Sequence, residues 1–217
     1  ALKRARVVVL GAGGLGAPAL LYLAGAGVGQ IVVVDDDVVD ASNLHRQVIH
    51  THARVGNSKA ESAAESLRSL NPFIEVVPVC ERLTEVNVDE LLSGADLVLD
   101  GSDNFESRYV VSAAAARAGI AHVWAAILGF DAQLSVFWAG RGPVYEDLYP
   151  HAPAAGIHAL GHRLHLRRPG GAGLRPSPGL FYIQGPGPPG LRRRRPLLAA
   201  QRGASAARFR LPVPQPG

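Results

Sequence analysis

Apolar positions along this chain follow two alternating rhythms. Residues 6–10, RVVVL, are a short β-branched run closed by glycine, the pattern of a strand buried on both faces. A glycine cluster then leads into GLGAPALLYLAGAG, where Leu15, Ala19, Tyr22 and Leu23 recur at helical spacing and define the expected buried face. Pro18 falls in the first turn of that helix, where its missing N–H costs little. GQIVVVDDD predicts a second strand ending in acids, and residues 40–52, DASNLHRQVIHTH, are polar and loop-like. NSKAESAAESLRSLNP predicts a helix closed by Asn71-Pro72, and FIEVVPVC a strand that carries Cys80 as a small core residue. VNVDELLSGA predicts a short helix, DLVLDGSDN a strand entering a polar turn, FESRYVVSAAAARAG a helix, and AHVWAAILG and AQLSVFWAG two more strands. This alternation predicts an α/β fold, a doubly wound Rossmann-like mostly parallel sheet over residues 1–150. Such sheets bind ligands at the carboxyl ends of their strands, where GAGGLG, DDD and DGSDN all fall.

Residues 7–34 carry no charged side chain, which suggests a membrane span or, with Lys3, Arg4 and Arg6 ahead of it, a signal peptide. Seven glycines interrupt the run and it ends in three aspartates, so strand, turn, helix and strand fit it better. With one cysteine in 217 residues, neither an internal disulfide nor a four-cysteine zinc site can form, which suits a reducing cytoplasm.

Charge divides the chain near Pro150. Residues 1–150 hold all 18 acids and 11 of the 22 Lys and Arg; residues 151–217 hold 11 Arg, 11 Pro, 11 Gly and no acid. No helical or strand period is sustained in that second part, which is expected to be an irregular Arg/Pro/Gly-rich tail, disordered or weakly ordered. The same composition arises when a G+C-rich gene is read out of frame, so a frame-shift from about residue 151 is the other expectation. The run Arg192–Arg195 lacks interleaved aromatics and reads as a solvated tail rather than a nucleic-acid site.

Gly11, Gly13 and Gly16 match G-x-G-x-x-G after a strand and before a helix, where small residues let a phosphate approach free backbone N–H groups. Asp35, 19 residues beyond Gly16 at the next strand end, is placed to accept ribose hydroxyls. To this point a nicotinamide-dependent oxidoreductase fits equally well. The loop SNLHRQ (Ser42, Asn43, Leu44, His45, Arg46, Gln47) and then Lys59 add positive charge beyond what a pyrophosphate needs, and favour a triphosphate. Asp100, Asp103 and Asn104 lie at another strand end, where a carboxylate beside phosphates suits Mg2+. Capping of the helix that begins near Phe105 is the competing role for Asp103 or Asn104.

Taken in order and spacing, the glycine turn, SNLHRQ, the lysine and SDN make residues 6–150 closely resemble the ThiF/MoeB family of ubiquitin-activating-enzyme-like adenylyltransferases. The resemblance implies ATP as substrate, Mg2+, and adenylation of the C-terminal glycine of a ubiquitin-like sulfur-carrier protein ending in Gly-Gly, in molybdopterin, thiamine or related sulfur transfer. It implies nucleotide contacts from Gly14 and Asp35, beside the cofactor-binding role that the motif gives Gly11, Gly13 and Gly16, and a phosphate environment of Ser42, Asn43, Leu44, His45, Arg46 and Lys59. Asp103 and Asn104 would complete the metal side, with Asp103 the Mg2+ ligand and Arg46, Lys59 and Asp103 the catalytic set. A homodimer without membrane attachment is also implied.

Three departures stand against that pattern. The family's N-terminal arm, with its arginine for the neighbouring subunit's ATP, has no counterpart before ALKRAR. Where many members hold the first C-x-x-C pair of a zinc site, Val144 and Asp147 stand, so no zinc is expected. The cysteine-bearing crossover region is not recognisable after Pro150. These departures make a catalytically impaired nucleotide-binding remnant the alternative to an active adenylyltransferase.

Overall fold

The computed structural model describes residues 1–128, 131–151 and 181–184. Seven strands form one sheet: β1 (Arg6–Leu10), β2 (Gln30–Val34), β3 (Glu75–Val79), β4 (Leu97–Asp100), β5 (Ala121–Leu128), β6 (Asp131–Phe137) and β7 (Phe181–Gln184). Their order is β3-β2-β1-β4-β5-β6-β7, with β1 to β5 mutually parallel and β6 and β7 antiparallel. The helices are α1 (Gly16–Gly25), α2 (Lys59–Leu70), α3 (Val88–Leu92), α4 (Phe105–Ala118) and α5 (Tyr145–Leu148).

The unbroken valine runs are explained by burial on both sides. Val7, Val9, Ile31 and Val33 pack with Ala17, Leu20, Ala60 and Leu67 of α1 and α2. Val8, Leu10, Val32 and Val34 face the other way, onto Val88, Leu92, Val111 and Ala115 of α3 and α4. A third cluster, Trp124, Phe137, Tyr145 and Tyr149, seals β5 and β6 beneath α5. Its rings meet edge-on, Trp124 to Tyr145 at 5.4 Å and Phe137 to Tyr145 at 5.6 Å between centroids. Burial in this cluster pushes the Tyr149 phenol up to about 12.

The sheet, helices and mostly parallel order match expectation, and two local expectations do not. Helix α1 buries Ala17, Leu20 and Ala24, whereas Tyr22 is 81% exposed and Leu15, Ala19 and Leu23 are only half-buried. The close seat of Gly16 on the glycine turn sets the rotation of α1, and that seat overrides the preference of the larger side chains. Cys80 lies just past the end of β3, exposed, with its Sγ 3.1 Å from the Ser58 hydroxyl. It is neither in a strand nor in the core, because the register of β3 on β2 ends at the Val34–Val79 pair. Residues 181–184 form a short strand on β6 within the segment expected to be irregular. The four residues FYIQ are too short to show against their Pro- and Gly-rich surroundings. The other expectations for residues 152–217 lie outside the described residues. Among the described residues, no helix is long and apolar enough to cross a membrane.

Candidate functional site

Strand order reverses between β1 and β4, and open α/β sheets bind ligands beyond the carboxyl ends of the strands at such a switch point. The glycines around it divide by role. Gly11 has φ +85°, a left-handed conformation suited to glycine, and its N–H donates to the Val34 carbonyl at 2.8 Å. A Cβ on Gly16 would run into the Gly11 carbonyl oxygen, so these two make the turn possible. Gly101, beyond β4, is tight but less so: its Cβ would meet Gly16 N and Leu10 O at 3.3 Å. Gly13 and Gly14 instead face the next loop. A Cβ on Gly13 would stand 3.6 Å from the Gln47 amide nitrogen, and one on Gly14 would stand 3.7 Å from the aliphatic stem of Arg46.

Asp35 follows β2. Its carboxylate accepts from Ala12 N–H at 2.7 Å and from Asp37 N–H at 2.9 Å. Burial raises its pKa above the ordinary value, opposed by these two backbone donors and by the positive charge of Lys59. Lys59, the first residue of α2, is 6% exposed, and its Nζ donates to Asp37 Oδ2 at 2.7 Å. That rules out the ordinary alternative of a solvated helix lysine. Asp36 is exposed, as expected of a strand end.

Residues 41–43 make a short 3-10 turn capped by Asp40, whose carboxylate accepts from Ser42 N–H at 2.7 Å. Hydrogen bonding to the Ser42 hydroxyl and amide holds the Asp40 carboxyl below its usual range. Ser42 also offers its carbonyl to His45 Nδ1 at 2.9 Å. Arg46 donates from Nη2 to Asn43 Oδ1 at 2.7 Å, and its Nη1 lies 3.4 Å from His45 Nε2. Asn43 therefore aims the guanidinium, while the Arg46 stem covers Gly14; Leu44 is half-buried below.

After β4, the Ser102 peptide is pinned on both sides: Asp100 accepts from its N–H at 2.9 Å, and Arg108 donates to its carbonyl at 2.9 Å. Asn104 caps α4 by accepting from Ser107 N–H at 2.8 Å. Asp103 stands between these anchors, exposed and with no hydrogen bond among the described residues. The capping role thus falls to Asn104 rather than Asp103. A single carboxylate with substrate phosphates suffices for Mg2+. Among the described residues there is no group of three His, Cys, Asp or Glu that could hold a metal. Val144 and Asp147, at the position of the expected zinc pair, close the first turn of α5, with Val144 N–H donating to Asp147 at 2.8 Å.

Two supporting residues gave no signal in the sequence. His50 is buried between Ser62 Oγ at 2.9 Å and the Ala12 carbonyl at 3.0 Å. A carbonyl only accepts, so Nε2 carries the proton and Nδ1 accepts from the serine. Burial lowers the pKa of His50. Arg108 is buried with its guanidinium 5.2 Å from the Phe105 ring centroid and 5.6 Å from that of Trp124.

Residues 1–162 match the model of the ThiF family. The chain is 55% identical over 160 residues to a probable adenylyltransferase/sulfurtransferase MoeZ of Mycobacterium tuberculosis, covering 72% of this chain and 41% of that protein. It is 51% identical over 155 residues to the SAMP-activating enzyme E1 of Haloferax volcanii, covering 71% and 57%. The crystal structure of E. coli MccB with ATP matches with a TM-score of 0.60 at 29% identity, over 67% of this chain and 44% of that one. The chain spans about half the length of the curated relatives it matches.

Proposed function

Because the chain belongs to the ThiF family, we propose that it uses ATP to adenylate the C-terminal glycine of a ubiquitin-like sulfur-carrier protein. The support is a chain of contacts: Asp35 accepts from the glycine turn at Ala12 N–H, the Arg46 stem lies against Gly14, and the buried Lys59 pairs with Asp37 two residues beyond Asp35, while Asp103, after β4, has no hydrogen bond among the described residues. Nicotinamide chemistry would use the glycine turn and Asp35 and leave Arg46, Lys59 and Asp103 without work. The relatives named as adenylyltransferase and as E1 enzyme point the same way.

Asp35 accepts the ribose hydroxyls, and Gly13 and Gly14 admit the phosphates beside α1. Arg46, aimed by Asn43, forks onto phosphate oxygens, and Lys59 supplies a point charge. The carrier's terminal carboxylate attacks the α-phosphorus; the new O–P bond forms as the bond to pyrophosphate breaks. Arg46 and Lys59 stabilise the charge that develops on the departing oxygens. Asp103 is the residue that would hold Mg2+, which when bound neutralises triphosphate charge. The protein acts as a homodimer in the cytoplasm.

Calorimetric titration of the 217-residue chain with MgATP, and separately with NAD+ and NADH, tests the nucleotide. Pyrophosphate release with a carrier ending in Gly-Gly tests the reaction. MgATP binding alone together with carrier-dependent release is expected. NAD(H) binding overturns the reading, and MgATP binding without release marks a chain that no longer turns over.

A further inference from the structure

Asp37 makes none of the nucleotide contacts proposed for the site, yet it touches two of the residues that do. Its N–H donates to Asp35 Oδ1 at 2.9 Å, its carbonyl accepts from Lys59 N–H at 2.9 Å, and its Oδ2 accepts from Lys59 Nζ at 2.7 Å. The backbone that carries it is clamped to the start of α2. Val39 N–H donates to Asn57 O at 2.8 Å, Gly56 N–H donates to Val39 O at 2.8 Å, and Val38 pairs with Ser58 in an isolated antiparallel bridge. The carboxylate therefore sits on a short stem from a rigid two-segment ribbon.

The two partners are unequal. The Lys59 side chain is 7% exposed and the Asp37 side chain 68%. A buried ammonium needs an anionic partner to remain charged. A hydrated carboxylate provides one at small desolvation cost to itself. An ammonium has three N–H donors; one goes to Asp37, and two remain for phosphate oxygens.

We propose that Asp37 is a positioning residue for the adenylation step, fixing the ammonium of Lys59 at the mouth of the phosphate site and sharing it with the triphosphate rather than competing for it. The proposal rests on the reading of Lys59 as a phosphate-binding cation. In the free chain the Asp37–Lys59 pair holds the cation ready; with nucleotide bound, carboxylate and phosphate occupy different N–H groups of one ammonium. Charge alone is not sufficient, because the ribbon sets the carboxylate to within one methylene.

The test uses the full 217-residue chain and its D37N, D37E, K59Q and D37N/K59Q variants. Each is titrated with MgATP by calorimetry and assayed for ATP–pyrophosphate exchange with a Gly-Gly-ended carrier. Lys59 is also scored for labelling by an amine-reactive reagent, read by mass spectrometry. D37N is expected to lower kcat about tenfold with a smaller rise in the KM for MgATP, and to raise Lys59 labelling in the absence of nucleotide. D37E restores the labelling pattern only in part and does not restore kcat. The double variant is no worse than K59Q, since Asp37 acts through Lys59. If D37N binds MgATP more tightly or exchanges at the wild-type rate while K59Q is impaired, Asp37 competes or is idle, and this proposal alone fails. If K59Q is itself unimpaired, the phosphate role of Lys59 fails and takes this one with it. Should D37N not fold, D37E and nucleotide protection of Lys59 in the wild-type chain carry the decision. Unchanged kcat in D37E, or no protection by MgATP, overturns the proposal.

Discussion

The N–H of Ala12 donates to the carboxylate of Asp35 across 2.7 Å, tying the glycine turn after β1 to the acid after β2. The second oxygen of Asp35 is taken by Asp37 N–H. One side chain thus satisfies two backbone donors and remains half-buried. Asp35→Ala leaves both donors without their acceptor. A loss of about 2 kcal/mol in unfolding free energy by denaturant titration is expected, together with loss of the MgATP heat in calorimetry. Wild-type stability in this variant would mean that the turn does not depend on the acid.

Two neighbouring glycines are expected to respond in opposite ways. Gly16→Ala drives a Cβ into the Gly11 backbone, which cannot move without parting β1 from α1. A loss of about 3 kcal/mol or more is expected, visible as a lowered Tm. Gly14→Ala meets only the flexible Arg46 stem at ordinary contact distance. Its Tm is expected to stay near wild type while MgATP affinity falls, because the added methyl stands where a phosphate must come close.

His50 makes stability depend on pH. Burial depresses its folded-state pKa below 6.5, so the neutral ring belongs to the folded state. Its contribution is fully present above the unfolded value near 6.5 and is lost as pH falls through the lower folded value. His50→Gln is expected to be less stable at pH 7.5 and to show a flatter decline between pH 6.5 and 5. Parallel stability–pH curves for the two proteins would remove His50 as the source of that slope.

Asp103 and Asn104 are adjacent and are expected to separate cleanly. Asn104→Ala deletes the cap of α4 and costs about 1 kcal/mol, with Mg2+ dependence unchanged. Asp103→Ala removes an exposed group that bonds to nothing among the described residues, so Tm is expected to hold. Its half-saturating Mg2+ for pyrophosphate release is expected to rise steeply. A fall in Tm without any change in Mg2+ response would assign Asp103 to the fold.

What could be read from the sequence follows from what local pattern encodes. The valine runs and glycine turns announce strands and their ends, because two-sided burial and tight turns each demand particular residues. The places of Gly14, Asp35, Lys59 and Asp103 along the chain were legible for the same reason, since each follows a recognisable strand or opens a helix. The rotation of α1 was not, because it is set by contact between Gly16 and Gly11, which leaves no mark in hydrophobic spacing. Nor were the tasks of Asp37, His50 and Arg108. Their partners stand 22 residues away for Asp37 and 38 for His50, while Arg108 stabilises a turn six residues behind it from inside an aromatic cage. Cys80 was misplaced because a strand's last residue depends on its neighbour's register.

The reversal of strand order between β1 and β4 has a consequence for how such a site changes over evolutionary time. The switch point is a product of chain winding, so no polar side chain has to be kept in order to keep it. In the proposed function its ligand is contacted from the glycine turn and from three short peripheral stretches, the acids and loop of 35–47, the opening of α2, and the turn 101–104. Substitutions there could exchange one phosphorylated ligand for another while every buried valine stays in place, so the scaffold can remain fixed while its occupant is rewritten.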